Sequence, residues 1–583
     1  MKLPYNIPGS ITDLNGISDI RETLTIDNVI FVIKNNGLYY RDDKNIDRLI
    51  CSPVVEVVAN TTDDNSNNWG KILKWQDPNG KIHKQAMPFL HDDGANIRKS
   101  LANGGVSISS AVKARQNLNV YLQGKQVEKL ARCVCQTGWN HNAYVTQDSV
   151  IGASDLGSNI DLIFQNESCP PEILSKNGTL EEWKATIATN AADNSRLVLA
   201  ISAAFAAPLL RLLNVEGGGI HFYGQSSTGK STALNIAASV WGSRSFKQTW
   251  RSTSNGLEAT AQTYNDNILP LDEIKECDAN TIGETIYMLG NGKGKNRANK
   301  NAEARKSKEW RILFISAGET RLADLMLDTG KKIYDGQSIR LADIDADAGK
   351  GMGMFENIHD FQSPSSLAEY LNKKSEENYG HAGLQFLKHL TASLHECIDK
   401  ATSIITDFEK QKEIAEGDGL IKRVAKRFAV IAAAGELATS FELTTWSEGQ
   451  AIFAAYLCFC NWFENYNGKE HIEHKIVSEL RSFIETHAQS RFCDYKNNDT
   501  RIPNRAGFKE VVGENTIYYF LPTAFNNEIA KKVELKPKKV VEILVNLNII
   551  KKQGDKDQIS KNFNGETQRC YEIDGKALID YNL

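Results

Sequence analysis

"HFYGQSSTGKSTALNIAASVWG", residues 221–242, sets an apolar run, a loop of small residues and a Lys-Ser pair in that order. Gly219 to Tyr223 reads as a short buried strand and Ala233 to Val240 as a helix, so the loop leads from a strand into a helix N-terminus. It fits G-x-x-x-x-G-K-[ST] as Gly224, Gly229, Lys230 and Ser231, with Gln225, Ser226, Ser227 and Thr228 inside the loop and Thr232 after it. Glycines let backbone N–H groups curl around an anion, and the helix dipole points at it. A lysine then reaches the β/γ-phosphates, while the Ser231 hydroxyl ligates Mg²⁺. The competing reading is a glycine-rich turn between a strand and a helix. The strand-loop-helix context favours a phosphate cradle, with ATP and Mg²⁺ as the expected ligands.

A phosphate cradle alone only binds; hydrolysis also needs a carboxylate for Mg²⁺ and a base for water. "NILPLDEI" (267–274) supplies a strand from Ile268 to Leu271 that ends in Asp272-Glu273. On a strand beside the P-loop strand, Asp272 would hold the Mg²⁺ shell and Glu273 would polarise the attacking water. An exposed strand end before an acid-favouring helix start is the alternative. Pro270 is awkward in a central strand, because it cannot donate to the ladder. The next strand, "WRILFISAGE" (310–319), is expected to end in Ser316, with Glu319 close behind, offering polar groups that orient water. In "YDGQSIRLADIDAD" (334–347), Arg340 precedes another strand. It reads either as a finger reaching a neighbouring subunit's γ-phosphate or as a salt-bridged strand arginine. Asp343, Asp345 and Asp347 form the one tight D-x-D run, read as an acidic strand end, and no primase activity is expected.

The chain has 583 residues, a formal net charge of -4, 41% hydrophobic and 24% charged residues. That length predicts several domains, and the composition a soluble globular protein without a global bias toward nucleic acid. Ten scattered cysteines, with no signal peptide, predict reduced thiols and a cytoplasmic setting. The C-x-C pairs Cys133/Cys135 and Cys458/Cys460 lack zinc-site spacing. The apolar run Leu197 to Leu210 carries Pro208 and is too short to cross a bilayer, so it reads as a buried helix and no membrane partner is expected.

Short β-rich runs dominate the start of the chain, including the hairpin "KILKWQDPNGKIHKQ" with its Asp77-Pro-Asn-Gly80 turn and the polar, mobile-looking loop "NTTDDNSNN". Alternating strands and helices between 219 and 347 predict a parallel α/β sheet. The expected fold class is therefore α/β, divided into an N-terminal β-rich platform (1–125), a linking α/β segment (126–195), an ATPase core (196–360), a helical lid (361–470) and a C-terminal α+β unit (471–583). The platform carries no catalytic constellation and is expected to recruit partner proteins.

The sequence of motifs resembles an AAA+ P-loop ATPase core. "GGGIHFYGQSSTGKST", "LPLDE", "GNGKGKNRA", "ISAGE" and "GQSIRLADI" are similar to the helicase domain of phage and mobile-element proteins. This family includes the Cch type of staphylococcal chromosome cassettes and is related to minichromosome-maintenance (MCM) helicases. The resemblance covers most of the chain and implies a hexameric ring helicase acting in replication of such an element, with ATP sites between subunits. It implies nucleotide roles for Lys230, Ser231, Asp272 and Glu273, a sensor at Ser316 where many relatives use Asn, and the finger at Arg340. Arg423 and Arg427, one turn apart in the lid, are both second-sensor candidates.

Two basic stretches are candidates for single-stranded or forked DNA. Residues 290–311 concentrate Lys293, Lys295, Arg297 and Lys300 with Arg305, Lys306 and Lys308 in a glycine-bearing insertion that would face the pore of a ring, or that is simply a solvated face. In "TAFNNEIAKKVELKPKKVVEILVNLNIIKKQG" (523–554), two helices joined near 533–536 and a returning "QRCYEID" strand outline a winged helix. Lys536, Lys538 and Lys539 would then start the second helix, in a module that elsewhere binds DNA or only packs against protein. The leading expectation is an ATP-driven DNA helicase. A AAA+ remodeller or helicase loader that uses ATP as an assembly switch is the alternative, and a P-loop small-molecule kinase is disfavoured by the long lid and Arg340.

Overall fold

The computed structural model describes residues 20–89, 94–152, 161–165, 173–295, 307–327, 335–467, 469–495, 502–513, 515–533, 535–552, 557–563 and 566–581. They form a mixed α/β structure in two compact units, Met1–Cys460 and Asn461–Leu583.

The first unit opens with an antiparallel meander of Ile20–Ile26, Val29–Lys34, Gly37–Arg41 and Asp47–Ser52, extended by Ser107–Ile108. Its first turn is Asp27-Asn28, both at positive φ (47° and 62°), the geometry that a two-residue hairpin demands. Phe31, Ile33, Leu38, Tyr40 and Ile50 face inward and meet Leu118, Tyr121 and Leu122 of helix Val112–Gly124. A second meander, Glu56–Thr62, Gly70–Gln76 and Ile82–Pro88, contains the expected hairpin, with Asp77 Oδ1 accepting the Asn79 and Lys81 N–H groups. The polar loop ahead of it is tied down by Asp63, which accepts from the N–H groups of Asn65 and Asn67 and from Asn68 Nδ2. Leu130–Val134 and Asp161–Phe164, both in the expected linking segment, join this second sheet in parallel. The sheet therefore runs across the expected boundary at 125. Sequence spacing could not reveal this, because parallel partners lie far apart in the chain.

The central sheet consists of β1 (Gly218–Tyr223), β2 (Gln248–Thr249), β3 (Ile268–Asp272), β4 (Leu313–Gly318) and β5 (Leu341–Asp345), all parallel in the order β2-β3-β4-β1-β5. The run from Leu197 forms helix α1 (Ser195–Ala206), buried at every residue, and Pro208 starts a separate turn after it. Helix α2 (Lys230–Ser239) follows the P-loop and packs on α1. The crossover carrying α2 moves across the sheet from β1 to β2, and the later ones move back. Right-handed crossovers therefore put α3 (Ser254–Thr263) and α4 (Ile282–Asn291) on the opposite face. Pro270 is tolerated because β2 reaches only Leu271 and Asp272, leaving β3 an open edge beside the proline.

The expected lid is helical. Helix α5 (Pro364–Glu377) begins with a Ser363/Ser366 capping box and Pro364 in its first turn, and packs on α2. Helix α6 (Gly419–Ser440) is capped by Asp418, which accepts the Leu420 and Ile421 N–H groups, and it packs along α1. Among the described residues, no helix is long and apolar enough to cross a membrane.

The second unit is α+β, and it begins at 461, ahead of the expected 471. Helix Lys469–His487 packs on a sheet that includes Gly507–Val512, Asn515–Phe520 and Glu566–Asp574, the last holding the expected returning strand. A short helix at Pro522–Phe525 that continues as a wider π-helical turn at Asn526–Ala530, and helix α7 (Pro537–Asn546), bury Ile529, Val540, Val541 and Leu544 in its core.

Candidate nucleotide site

The loop between β1 and α2 adopts backbone geometry that side chains resist: φ is 147° at Gly224, 64° at Ser227 and 99° at Gly229. At Gly229, a Cβ would also come within 3.2–3.3 Å of Phe355 and Met354, so conformation and packing both require glycine. Thr228 is pinned through its carbonyl, which accepts the Met354 N–H at 2.9 Å. Lys230 is 9% exposed and curls back over the loop, donating to the carbonyls of Gly224 (2.8 Å) and Gln225 (2.6 Å). Burial lowers its pKa, and the nearby Glu319, Glu273 and Asp272 carboxylates oppose that shift. The expected acidic pair therefore does share a field with the P-loop lysine. Ser231 is exposed on the first turn of α2. Thr232, an expected nucleotide contact, is instead buried with its hydroxyl accepting from Asn372 Nδ2 of α5 at 3.1 Å.

β3 ends at Asp272, and Glu273 then takes a left-handed conformation, φ 57° and ψ 78°. Such a backbone costs about 1–3 kcal/mol in a non-glycine residue and collects at functional sites. Asp272 Oδ2 accepts from Lys247 Nζ at 2.7 Å, and the Asp272 carbonyl accepts the Trp250 N–H at 3.1 Å. The acidic strand is not beside the P-loop strand as expected: β4 lies between them. Chain order does not reveal which strand a crossover skips. The oxygen donors of Asp272 and Ser231 suit Mg²⁺, and the Lys247 ammonium already supplies the positive partner that a cation would provide to Asp272.

Ser316 is not a strand tip. β4 runs on to Gly318, and Ser316 is fully buried between Trp250 Nε1 and His221 Nδ1, each 2.9 Å away. His221 Nε2 faces the Thr320 carbonyl at 3.1 Å, so this nitrogen carries the proton and Nδ1 accepts from the Ser316 hydroxyl. Trp250 donates to the same oxygen. The hydroxyl is thus spent inside the sheet. Burial, with Lys230 nearby, pulls the His221 pKa down to about 4, so the ring is neutral.

The group after β4 that touches the P-loop is Glu319, which accepts from Ser226 Oγ (2.6 Å) and from Lys275 Nζ (2.8 Å). Lys247 and Lys275 carry no spacing signature that a sequence reading could have used.

Arg340 lies at the far end of the sheet. Its carbonyl accepts the Gly219 N–H, at the foot of β1, while Gly224 is five residues further on, about 16 Å along a strand. Its guanidinium bonds Asn291 Oδ1 and the Gly336 carbonyl and lies 4.1 Å over the exposed Tyr287 ring. Among the described residues no acid is paired with it, and at this end of the sheet it lies away from its own P-loop. Arg427 is buried at the same foot of β1, donating to the Gly219 and Ile339 carbonyls at 3.1 Å each. Burial, then Arg340, lowers its pKa to about 10. It is a strut between α6 and the sheet, at the end of β1 away from the Gly224–Gly229 loop. Arg423 is exposed one turn earlier.

In the basic insertion, Lys293 and Lys295 are exposed. The two arms pair through a Lys293–Glu309 bridge, whereas Arg297, Lys300, Arg305 and Lys306 lie outside the described residues. In the second unit, Lys536 stands at the N-cap position of α7 and is exposed with Lys538 and Lys539. Lys539 lies 3.5 Å from Glu542.

Residues 31–309 match the model of a family described as a domain of unknown function, DUF927. No curated protein matches the chain. Among solved structures, the chain is similar to one titled "SCCmec type IV Cch - active helicase", at 18% identity and a TM-score of 0.63, over 94% of this chain and 98% of that one. The two share a fold along nearly their whole length.

Proposed function

We propose that the chain is an ATP-dependent DNA helicase, the subunit of a hexameric AAA+ ring acting in the cytoplasm in replication of a phage or mobile genetic element. The observation that carries the reading is the convergence of Lys230, Asp272 and Glu273 around a glycine-built loop at the start of α2. In this reading the central sheet is the AAA+ core, residues 361–460 the lid, and the second unit a winged-helix-like module. The likeness to a solved structure titled as a helicase supports it.

ATP with Mg²⁺ supplies the phosphoryl group to be transferred. The loop amides of 225–230 would hold its phosphates, the Lys230 ammonium would leave the Gly224 and Gln225 carbonyls for them, and Ser231 and Asp272 would hold the metal. Asp272 must exchange its Lys247 partner as it does so. Glu273, which follows Asp272 in a left-handed backbone conformation and whose charge Lys230 feels, would accept the proton of the attacking water. Arg340, too far from its own loop, would stabilise charge at a neighbour's site. Lys293 and Lys295, with Arg297 and Lys300, would grip a threaded strand. Lys536, Lys538 and Lys539 would contact duplex.

The test is ATP-dependent strand displacement on a forked DNA by the wild type, Lys230→Ala and Glu273→Gln. Displacement lost in both variants supports a helicase. ATP turnover without any displacement would favour the remodeller or loader.

A further inference from the structure

Glu319 lies between two parts of the candidate site, one 93 residues before it in the chain and the other 44. Oε1 accepts the Ser226 hydroxyl, in the middle of the P-loop, at 2.6 Å. Oε2 accepts from Lys275 at 2.8 Å, and Lys275 stands two residues after Glu273. The backbone just beyond Glu319 is fixed as well, because His221 of the P-loop strand donates to the Thr320 carbonyl. The Lys275 and Ser226 bonds hold the Glu319 carboxyl down at about 2, so it is an anion at any working pH. A lone anion here would repel a polyphosphate arriving on Lys230, whose charge feels Glu319 directly. Lys275 neutralises it.

We infer that Glu319 and Lys275 are positioning residues, a neutralised clasp that ties the P-loop to the turn carrying the acidic pair. The inference rests on the ATP reading of the same site. It makes a prediction of unusual sign. Removing Lys275 exposes the carboxylate to the phosphates, whereas removing the charge of Glu319 as well restores binding without restoring the tether.

The experiment measures ATP affinity by fluorescent-nucleotide displacement and steady-state kcat for Lys275→Ala, Glu319→Gln, the double variant and Ser226→Ala, with Lys230→Ala as control. Both clasp side chains are 43% exposed, so the variants should fold, and melting curves check that. Lys275→Ala should weaken ATP binding by about tenfold, and Lys275→Ala/Glu319→Gln should recover most of that loss. Turnover should fall by about tenfold in Ser226→Ala and in the double variant, with KM in Ser226→Ala little changed. A double variant that binds no better than Lys275→Ala, or kcat unchanged throughout, overturns the clasp. If the wild type binds ATP no better than Lys230→Ala, the nucleotide reading itself fails and takes the clasp with it; binding that Lys230→Ala abolishes leaves the double variant to decide the clasp alone.

Discussion

Ser316→Ala separates two roles that sequence alone confounds. A sensor hydroxyl at the nucleotide would, when deleted, lower turnover and leave the fold intact. In the structure the same hydroxyl joins two fully buried groups, the Trp250 indole N–H and His221 Nδ1. Alanine leaves both without a partner in an environment closed to water. An orphaned buried polar group costs about 1–3 kcal/mol, so the pair predicts a loss of ~2–6 kcal/mol of stability. The assay is urea unfolding of wild type and Ser316→Ala at pH 8, where His221 is neutral, together with ATP turnover per folded molecule at low denaturant. The expected outcome is a lower midpoint at an unchanged m-value, with turnover per folded molecule within about threefold of wild type. Full stability combined with turnover reduced about a hundredfold would refute the buried-network reasoning and return Ser316 to the nucleotide.

Three further outcomes follow from other contacts. The native His221 ring titrates at about 4 against an ordinary 6.5. The unfolded chain therefore takes up that proton first on acidification, and this residue contributes a loss of ~3 kcal/mol as pH falls from about 6.5 to 4. The slope of stability against pH over that window should flatten in His221→Gln, and an unchanged slope would contradict the buried neutral ring. Arg211 donates through Nε to both Asp266 oxygens at 2.8 Å, and the Asp266 side chain is completely buried. Burial raises the Asp266 pKa, with Arg211 opposing, so Arg211→Met should cost about 2 kcal/mol in urea unfolding, the remaining Trp139 and Asn265 bonds limiting the loss. Charge reversal of Lys536, Lys538 and Lys539 should weaken duplex binding and flatten its dependence on log salt by about 2–3 units, while ATP turnover without DNA stays unchanged.

Local features were legible in the sequence because their causes are local. The tight loop between β1 and α2 declares itself through glycines at positive φ, the 77–80 turn through Asp77, and the buried run 197–206 through an absence of charge that Pro208 ends. What was not legible depends on contacts across the fold. Whether β3 adjoins β1 is decided by a crossover that leaves a place for β4. Whether Ser316 faces a ligand or a histidine depends on strand register, and a shift of one residue would send it to the other face. Arg423 and Arg427 look equivalent on a helix, yet burial against the foot of β1 makes Arg427 a strut. Lys247 and Lys275 each find a carboxylate through tertiary placement alone.

The central claim, an ATP site shared between neighbouring subunits and coupled to DNA, is tested most directly by ATP turnover with and without single-stranded DNA. The proteins compared are the wild type, Lys230→Ala, Arg340→Ala and an equimolar mixture of the two variants. Arg340 sits about 16 Å of strand from its own P-loop, so in a shared site each variant would spoil a different half. The predicted result is DNA-stimulated turnover that each variant loses and the mixture partly recovers, from sites built of one intact half of each. Turnover indifferent to DNA, with Arg340→Ala fully active, would contradict it.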